Sequence, residues 1–186
     1  LGGAVEKGGQ RMTDEGVDIA HDLTSHVIIV GYGRTGHLLA ALLDRQRIAH
    51  VALDLDAARV AELRAQGAPI YLGDASRAAM LGKMRLNYSA ALAICTDDPG
   101  ATEKVLLAAR RVAPEVPIVA RARDTAHATS LMAKGATRVV LEVMESGLQL
   151  GHVMLEEMGL PANVARDLID AQRVQAERAL RPESRT

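Results

Sequence analysis

Three glycines in one short loop carry the most specific chemistry in this sequence. Val27-Ile28-Ile29-Val30 runs directly into Gly31-Tyr32-Gly33-Arg34-Thr35-Gly36, and Leu38-Leu39-Ala40-Ala41-Leu42-Leu43 follows as a helical segment. Between a strand and a helix each glycine has a task. Gly31 allows the tight turn, Gly33 lets backbone approach a phosphate, and Gly36 brings the helix close to the strand; the phosphate then meets the free amides of the helix N-terminus. Arg34 adds a cation that clamps the phosphate, and Tyr32 and Thr35 complete the candidate loop. Asp54 closes the next apolar run, with Leu55 beside it. A carboxylate there accepts both ribose hydroxyls and repels a 2′-phosphate, which favours AMP, ADP or NAD(H) over the 2′-phosphorylated dinucleotide.

Three more polar clusters fall at the carboxyl ends of later apolar runs, the edge where open α/β sheets bind ligands. They are Gly73-Asp74-Ala75, Thr96-Asp97-Asp98 and Arg121-Ala122-Arg123-Asp124. Asp74 is placed to reach an adenine amino group and Thr96 to close over ribose or phosphate, with Ala75 and Arg121 completing the candidate set. Helix capping is the competing role, and it suits Asp98 and Asp124 in particular. A catalytic or metal site is not expected. His21, His26, His37, His50, His127 and His152 show neither metal-ligand spacing nor a partner arrangement, so they read as surface or capping residues. Cys95 reads as an inert core thiol inside a central strand.

The elements that must position these groups follow from the apolar spacing. Strands are expected at Val27 to Val30, Val51 to Asp54, Ile70 to Gly73, Ala91 to Thr96, Ile118 to Arg121 and Val139 to Glu142, with helices between them. Asp56 and Gly67 bracket the second helix, Asp98-Pro99 opens the fourth, and Asp124 and Gly135 bracket the fifth. The fold class is α/β, a Rossmann-like, doubly wound, parallel six-stranded sheet with C-terminal helices. Residues 1–25 read as a polar linker and 26–142 as the nucleotide-binding domain. Residues 143–160 read as a crossover or dimerisation helix, and 161–186 as a peripheral helix with a disordered tail after Pro182. Met144, Leu148, Gly151, Leu155 and Met158 form one apolar stripe of that crossover helix, while Leu150, Val153 and Met154 make a second side apolar. More than its own sheet is needed to cover it.

Composition narrows the function. The 186 residues are 48% hydrophobic and 24% charged, which suits one well-packed domain. Aromatic residues make up only 2%, and 22 Lys plus Arg stand against 23 Asp plus Glu, so both stacking platforms and a basic field for nucleic acid are missing. A single cysteine fits a reducing compartment. The chain starts at Leu1 without Met, so an upstream portion is expected. A dehydrogenase would need a catalytic domain beyond the sixth strand, for which the last 44 residues, 143–186, are too few.

From His26 to Leu160 the chain resembles the RCK domains, also called KTN or TrkA-N domains, that regulate potassium channels and transporters. The resemblance rests on VIIVGYGRTGHLLA, on VALDLD with Asp54, on YLGDAS from Tyr71 to Ser76, on ICTDDP from Ile94 to Pro99 and on IVARARD from Ile118 to Asp124. The last two are similar to the Kef branch, which carries this domain behind the membrane part of a potassium:proton antiporter. The resemblance implies a nucleotide sensor that works as a homodimer through the crossover helix, on the cytoplasmic side of an inner membrane, joined to an upstream transmembrane antiporter domain of the same polypeptide. A free-standing KTN subunit is the alternative. It also implies that Gly31, Gly33, Arg34 and Gly36 hold phosphate, Asp54 and Thr96 the ribose, and Asp74 and Ala75 the adenine. Two arginines and an asparagine of the glutathione-gated members align with Ala41, Leu141 and Ala176.

Overall fold

The computed structural model describes residues 23–180. Its elements alternate strictly: β1 (Val27–Val30), α1 (Arg34–Arg45), β2 (His50–Asp54), α2 (Ala57–Ala65), β3 (Ile70–Leu72), α3 (Ala78–Lys83), β4 (Ala91–Ile94), α4 (Pro99–Val112), β5 (Ile118–Ala122), α5 (Thr125–Ala133) and β6 (Arg138–Leu141), followed by α6 (Glu142–Glu157) and α7 (Ala162–Leu180). The six strands form one parallel sheet in the order β3-β2-β1-β4-β5-β6. The order reverses between β1 and β4, so a crevice opens at their carboxyl ends. Rossmann-like topology is therefore the observed fold.

Alternation along each strand divides the core into two layers. Ile28, Val30, Val51, Leu53, Leu92 and Ile94 pack with Leu81, Leu106, Ala109 and Leu131 from α3, α4 and α5. On the other face Ile29, Ala52 and Ile70 meet Ala40 of α1 and Val60 of α2. That second face is left open over β5 and β6, where Val119 and Val140 are exposed. At the amino edge of the sheet, Arg110 of α4 donates to the carbonyls of Val116 (2.6 Å), Gly135 (2.8 Å) and Pro114 (3.0 Å), tying the helix to the starts of β5 and β6.

Several expectations are corrected. The domain already begins at Leu23, which packs on the core and accepts from Arg85 Nε at 3.0 Å, while Ser25 N donates to Tyr88 O at 2.8 Å. Thus residues 23–25 belong to the fold rather than to a linker. The rest of that segment, and the tail after Pro182, lie outside the described residues. Strand β4 ends at Ile94, because Cys95 N makes a last rung to Val30 O and the chain then turns into the Asp98 cap of α4. Helix α6 starts at Glu142, directly after β6. His26, His50 and His127 are buried instead of lying on the surface, and each keeps a ring nitrogen without a partner among the described residues.

The crossover helix is turned differently from the expected seam. Leu148 is buried, and a Cβ placed at Gly151 would touch Ile169 of α7, so the Met144, Leu148, Gly151, Leu155 side is the one covered by α7. The open apolar stripe is Val143, Gly147, Leu150, Met154 and Met158, spaced by three or four residues along one helical face.

Candidate functional site

At the carboxyl edge of the sheet a cleft of about 620 Å³ lies between α1, the end of β2 and the ends of β4 and β5. This size accommodates a nucleotide. Its floor is the glycine loop. Gly31 takes φ +86°, and any Cβ there would stand 3.0 Å from Thr96 N, so the turn packs tightly on the end of β4. Gly36 is tighter still, since a Cβ would lie 2.1 Å from Gly31 O; the close helix–strand contact expected of it is present. A Cβ at Gly33 would meet nothing within 4 Å, because that backbone faces the open cleft.

The start of α1 differs from those of α2, α4 and α5. Asp56, Asp98 and Asp124 cap those three helices with their carboxylates, whereas Gly33 caps α1 without a side chain. The first-turn amides of α1 thus stay available to an anion, and the helix dipole adds to their pull. Arg34 stands beside them, exposed and without an ion partner among the described residues.

Asp54 forms the opposite wall and is buried. Its Oδ2 accepts from Tyr32 N at 2.7 Å and from Arg59 Nη1 at 3.0 Å, and its Oδ1 accepts from Asp56 N at 2.9 Å. Burial alone would raise this carboxyl, but the amides of Asp56 and Tyr32 and the Arg59 guanidinium outweigh it and hold the group below the usual carboxylate range. The site therefore keeps a negative charge at neutral pH where a diol would sit. Arg59 is also 3.3 Å from Asp56.

On the far side Arg121 of β5 bridges Asp97 and Glu142, its Nε lying 3.0 Å from Glu142 Oε2. Hydrogen bonds to Glu142 raise its already high pKa, with Asp97 adding to the effect against the opposing cost of burial. Thr96 Oγ1 is turned toward Thr102 Oγ1 at 2.7 Å. Cys95 lines the cleft, half-buried, with its thiol pushed up to about 11 by burial against the smaller opposing pull of Arg121. It is thus protonated at neutral pH and a poor nucleophile.

Of the residues singled out from sequence, Gly31, Gly33, Arg34, Thr35, Asp54, Leu55, Thr96 and Arg121 line this one cleft. Four others do not. Tyr32 contributes a backbone amide to Asp54 while its side chain belongs to the smaller core layer, and Gly36 is on the buried side of α1 against Gly31. Asp74 sits past β3 and accepts from Ser76 N at 2.9 Å, and Ala75 is buried in the larger core layer. Sequence reasoning missed Leu38, Arg59, Ala101 and Glu142 as lining groups. Arg59 had a signal: it falls in the first turn of the helix that Asp56 opens, five residues after Asp54.

The chain is similar to known proteins over most of its described length. The family model described as the TrkA-N domain matches residues 27–142. The chain is 39% identical over 142 residues to K(+) efflux antiporter 2, chloroplastic, of Arabidopsis thaliana, covering 76% of this chain and 12% of that protein. It is 32% identical over 166 residues to the glutathione-regulated potassium-efflux system protein KefC of Cronobacter sakazakii, covering 89% of this chain and 27% of that one. The chain thus spans about a quarter or less of the length of the curated relatives it matches. A solved structure of the Shewanella denitrificans Kef C-terminal domain in AMP-bound form superposes with a TM-score of 0.68 at 28% identity, over 83% of this chain and 94% of that one.

Proposed function

The chain belongs to the TrkA-N domain family, and from that premise we propose that it is the nucleotide-sensing regulatory domain of a Kef-type potassium:proton antiporter, controlling ion transport through binding of AMP or NAD(H). One observation carries this reading: the uncapped N-terminus of α1 with Arg34, and the buried Asp54, face one another across the same cleft. The first matches a phosphate and the second a ribose. AMP in the similar Kef domain supports the ligand class.

The role is regulatory rather than catalytic. The Arg121 guanidinium is saturated by Asp97 and Glu142, Asp98 caps a helix, and Cys95 is protonated, so the cleft groups hold structure and ligand instead of transferring protons.

The domain acts as a homodimer, and the open stripe Val143, Leu150, Met154 and Met158 of α6 is its seam. Val119 of β5 and Val140 of β6 are exposed as well. An apolar stripe that a helix's own fold leaves uncovered suits an interface. The membrane-embedded antiporter portion lies upstream on the same polypeptide, with this domain on its cytoplasmic side; no described helix is long and apolar enough to cross a membrane itself.

Thermal melts of the chain with AMP, ADP, NAD and NADH test the reading. A ligand at about 100 times its dissociation constant adds about 2.7 kcal/mol, so a clear rise in melting temperature is expected. Four curves that coincide with the ligand-free melt would overturn it.

A further inference from the structure

The cleft has a direction. Along the sheet edge the order β2, β1, β4, β5, β6 places Asp54 first, then the glycine loop with Arg34, then Thr96-Asp97-Asp98, then Arg121, and last Glu142. The end of β4 abuts the loop at Gly31. A nucleotide that sets its ribose on Asp54 and its first phosphate on the start of α1 must therefore extend anything further over β4 and β5. This argument rests on the nucleotide reading above.

The charge changes sign along that path. Beside the first phosphate stands Arg34, which has no ion partner among the described residues. Beyond it lie Asp97, Asp98 and Glu142 with only Arg121 among them. Three carboxylates less one guanidinium leave two negative charges, and both ends of that guanidinium are already engaged. Asp98 offers no relief, since its carboxylate serves as acceptor for Ala101 N at 2.6 Å. Like charges brought within a few ångströms repel, and at exposed side chains such as these the repulsion is greatest at low ionic strength.

We propose that Asp97, together with Glu142, is a specificity determinant that counts phosphates: of the two ligands named above the site is built for AMP, and it rejects the second and third phosphates of ADP and ATP. Asp97 is suited to this because nothing else depends on its carboxylate. Its side chain is 83% exposed and, among the described residues, pairs with Arg121 alone.

Calorimetric titration of the 186-residue chain with AMP, ADP and ATP, in chelator without divalent cations and at fixed ionic strength, tests the proposal. The expected order is AMP, then ADP, then ATP, with AMP at least tenfold tighter than ATP. In Asp97→Asn/Glu142→Gln the AMP-to-ATP ratio is expected to fall at least threefold. Asp97→Asn alone should shift it in the same direction and, lying at an exposed position, leave the fold intact. AMP binding with ATP equally tight, or an unchanged ratio in both variants, overturns phosphate counting and leaves the nucleotide reading standing. Failure of all three ligands to bind removes that reading and the proposal with it.

Discussion

The Arg59 guanidinium lies 3.0 Å from Asp54 Oδ2, the same oxygen that accepts from Tyr32 N. A carboxylate offers about four lone-pair positions, and Asp56 N takes a third. One position on Oδ1 remains for a ribose hydroxyl; the second hydroxyl must share Oδ2 or displace Arg59, whose half-exposed side chain retains Asp56 as a partner.

Asp54→Ala is accordingly expected to abolish most of the thermal stabilisation by AMP. Truncation also leaves the Tyr32 amide without an acceptor, so the ligand-free protein should lose about 1–3 kcal/mol. The sign of the pH effect follows from the lowered folded-state value. Stability from Asp54 is full above the unfolded value of about 3.9 and is lost as pH falls through the lower folded one. Asp54 itself should thus add no pH dependence to AMP affinity between neutral pH and about pH 5, where any change comes from the AMP phosphate, whose second pKa is about 6. A variant that keeps the full AMP shift would show that the carboxylate does not hold the ribose.

His26 supplies a separate acid sensitivity. The residue is fully buried at the start of β1, with Nε2 2.9 Å from Met84 O and Nδ1 unpartnered. Burial lowers its pKa from the ordinary 6.5, with Arg85 acting in the same direction and the Met84 hydrogen bond opposing them. The unfolded chain therefore takes up its proton first, and stability should begin to fall as pH drops below about 6.5. His26→Gln should flatten that limb of a melting-temperature profile between pH 5 and 7. Equal slopes in wild type and variant would rule the histidine out as the source.

How much of this was legible in the sequence depended on range. Gly31, Gly33 and Gly36 announced both the turn and the helix it opens, because a βα junction is settled within a dozen residues. Six parallel strands followed from apolar runs of strand length, although β4 was read two residues long, since Cys95 and Thr96 are apolar or β-branched and only the turn into Asp98 ends the strand. Arg121 was legible as a site residue but its bridge to Asp97 and Glu142 was not, as those partners stand 24 and 21 residues away. The open side of α6 was hidden for the same reason. Periodicity showed two apolar sides, and only the placement of α7 decides which one is left uncovered.

That placement changes which substitutions should break a dimer. Leu150→Glu with Met154→Glu puts two charges on the open stripe, while Leu148 is spent inside the protomer against its own helices. Sedimentation of the double variant should report monomer with an unchanged circular dichroism spectrum, because exposed positions tolerate the change in the isolated fold. Leu148→Glu should instead lower the melting temperature. A wild-type chain that is monomeric at tens of micromolar would remove the dimer from the proposal.

Glutathione should not bind this protein, although relatives carry glutathione regulation in their names. A tripeptide with two carboxylates needs cationic forks, and the aligned positions hold Ala41, on the exposed side of α1, and Leu141, half-buried at the end of β6. Each charge-assisted hydrogen bond to a buried partner contributes about 1.5–3 kcal/mol. Losing two would cost roughly two to four powers of ten in affinity if the effects add. Ala176 on α7 removes a third polar contact. The neighbouring cations do not replace them equally: Arg138 is 3.9 Å from Glu177 and would have to leave it, which leaves Arg45, one turn beyond Ala41, as the nearer substitute. Calorimetry with glutathione and a bulky conjugate, with AMP present, should give no heat of binding. Millimolar or tighter affinity would overturn the prediction, and its loss in Arg45→Ala would identify the arginine that had taken over.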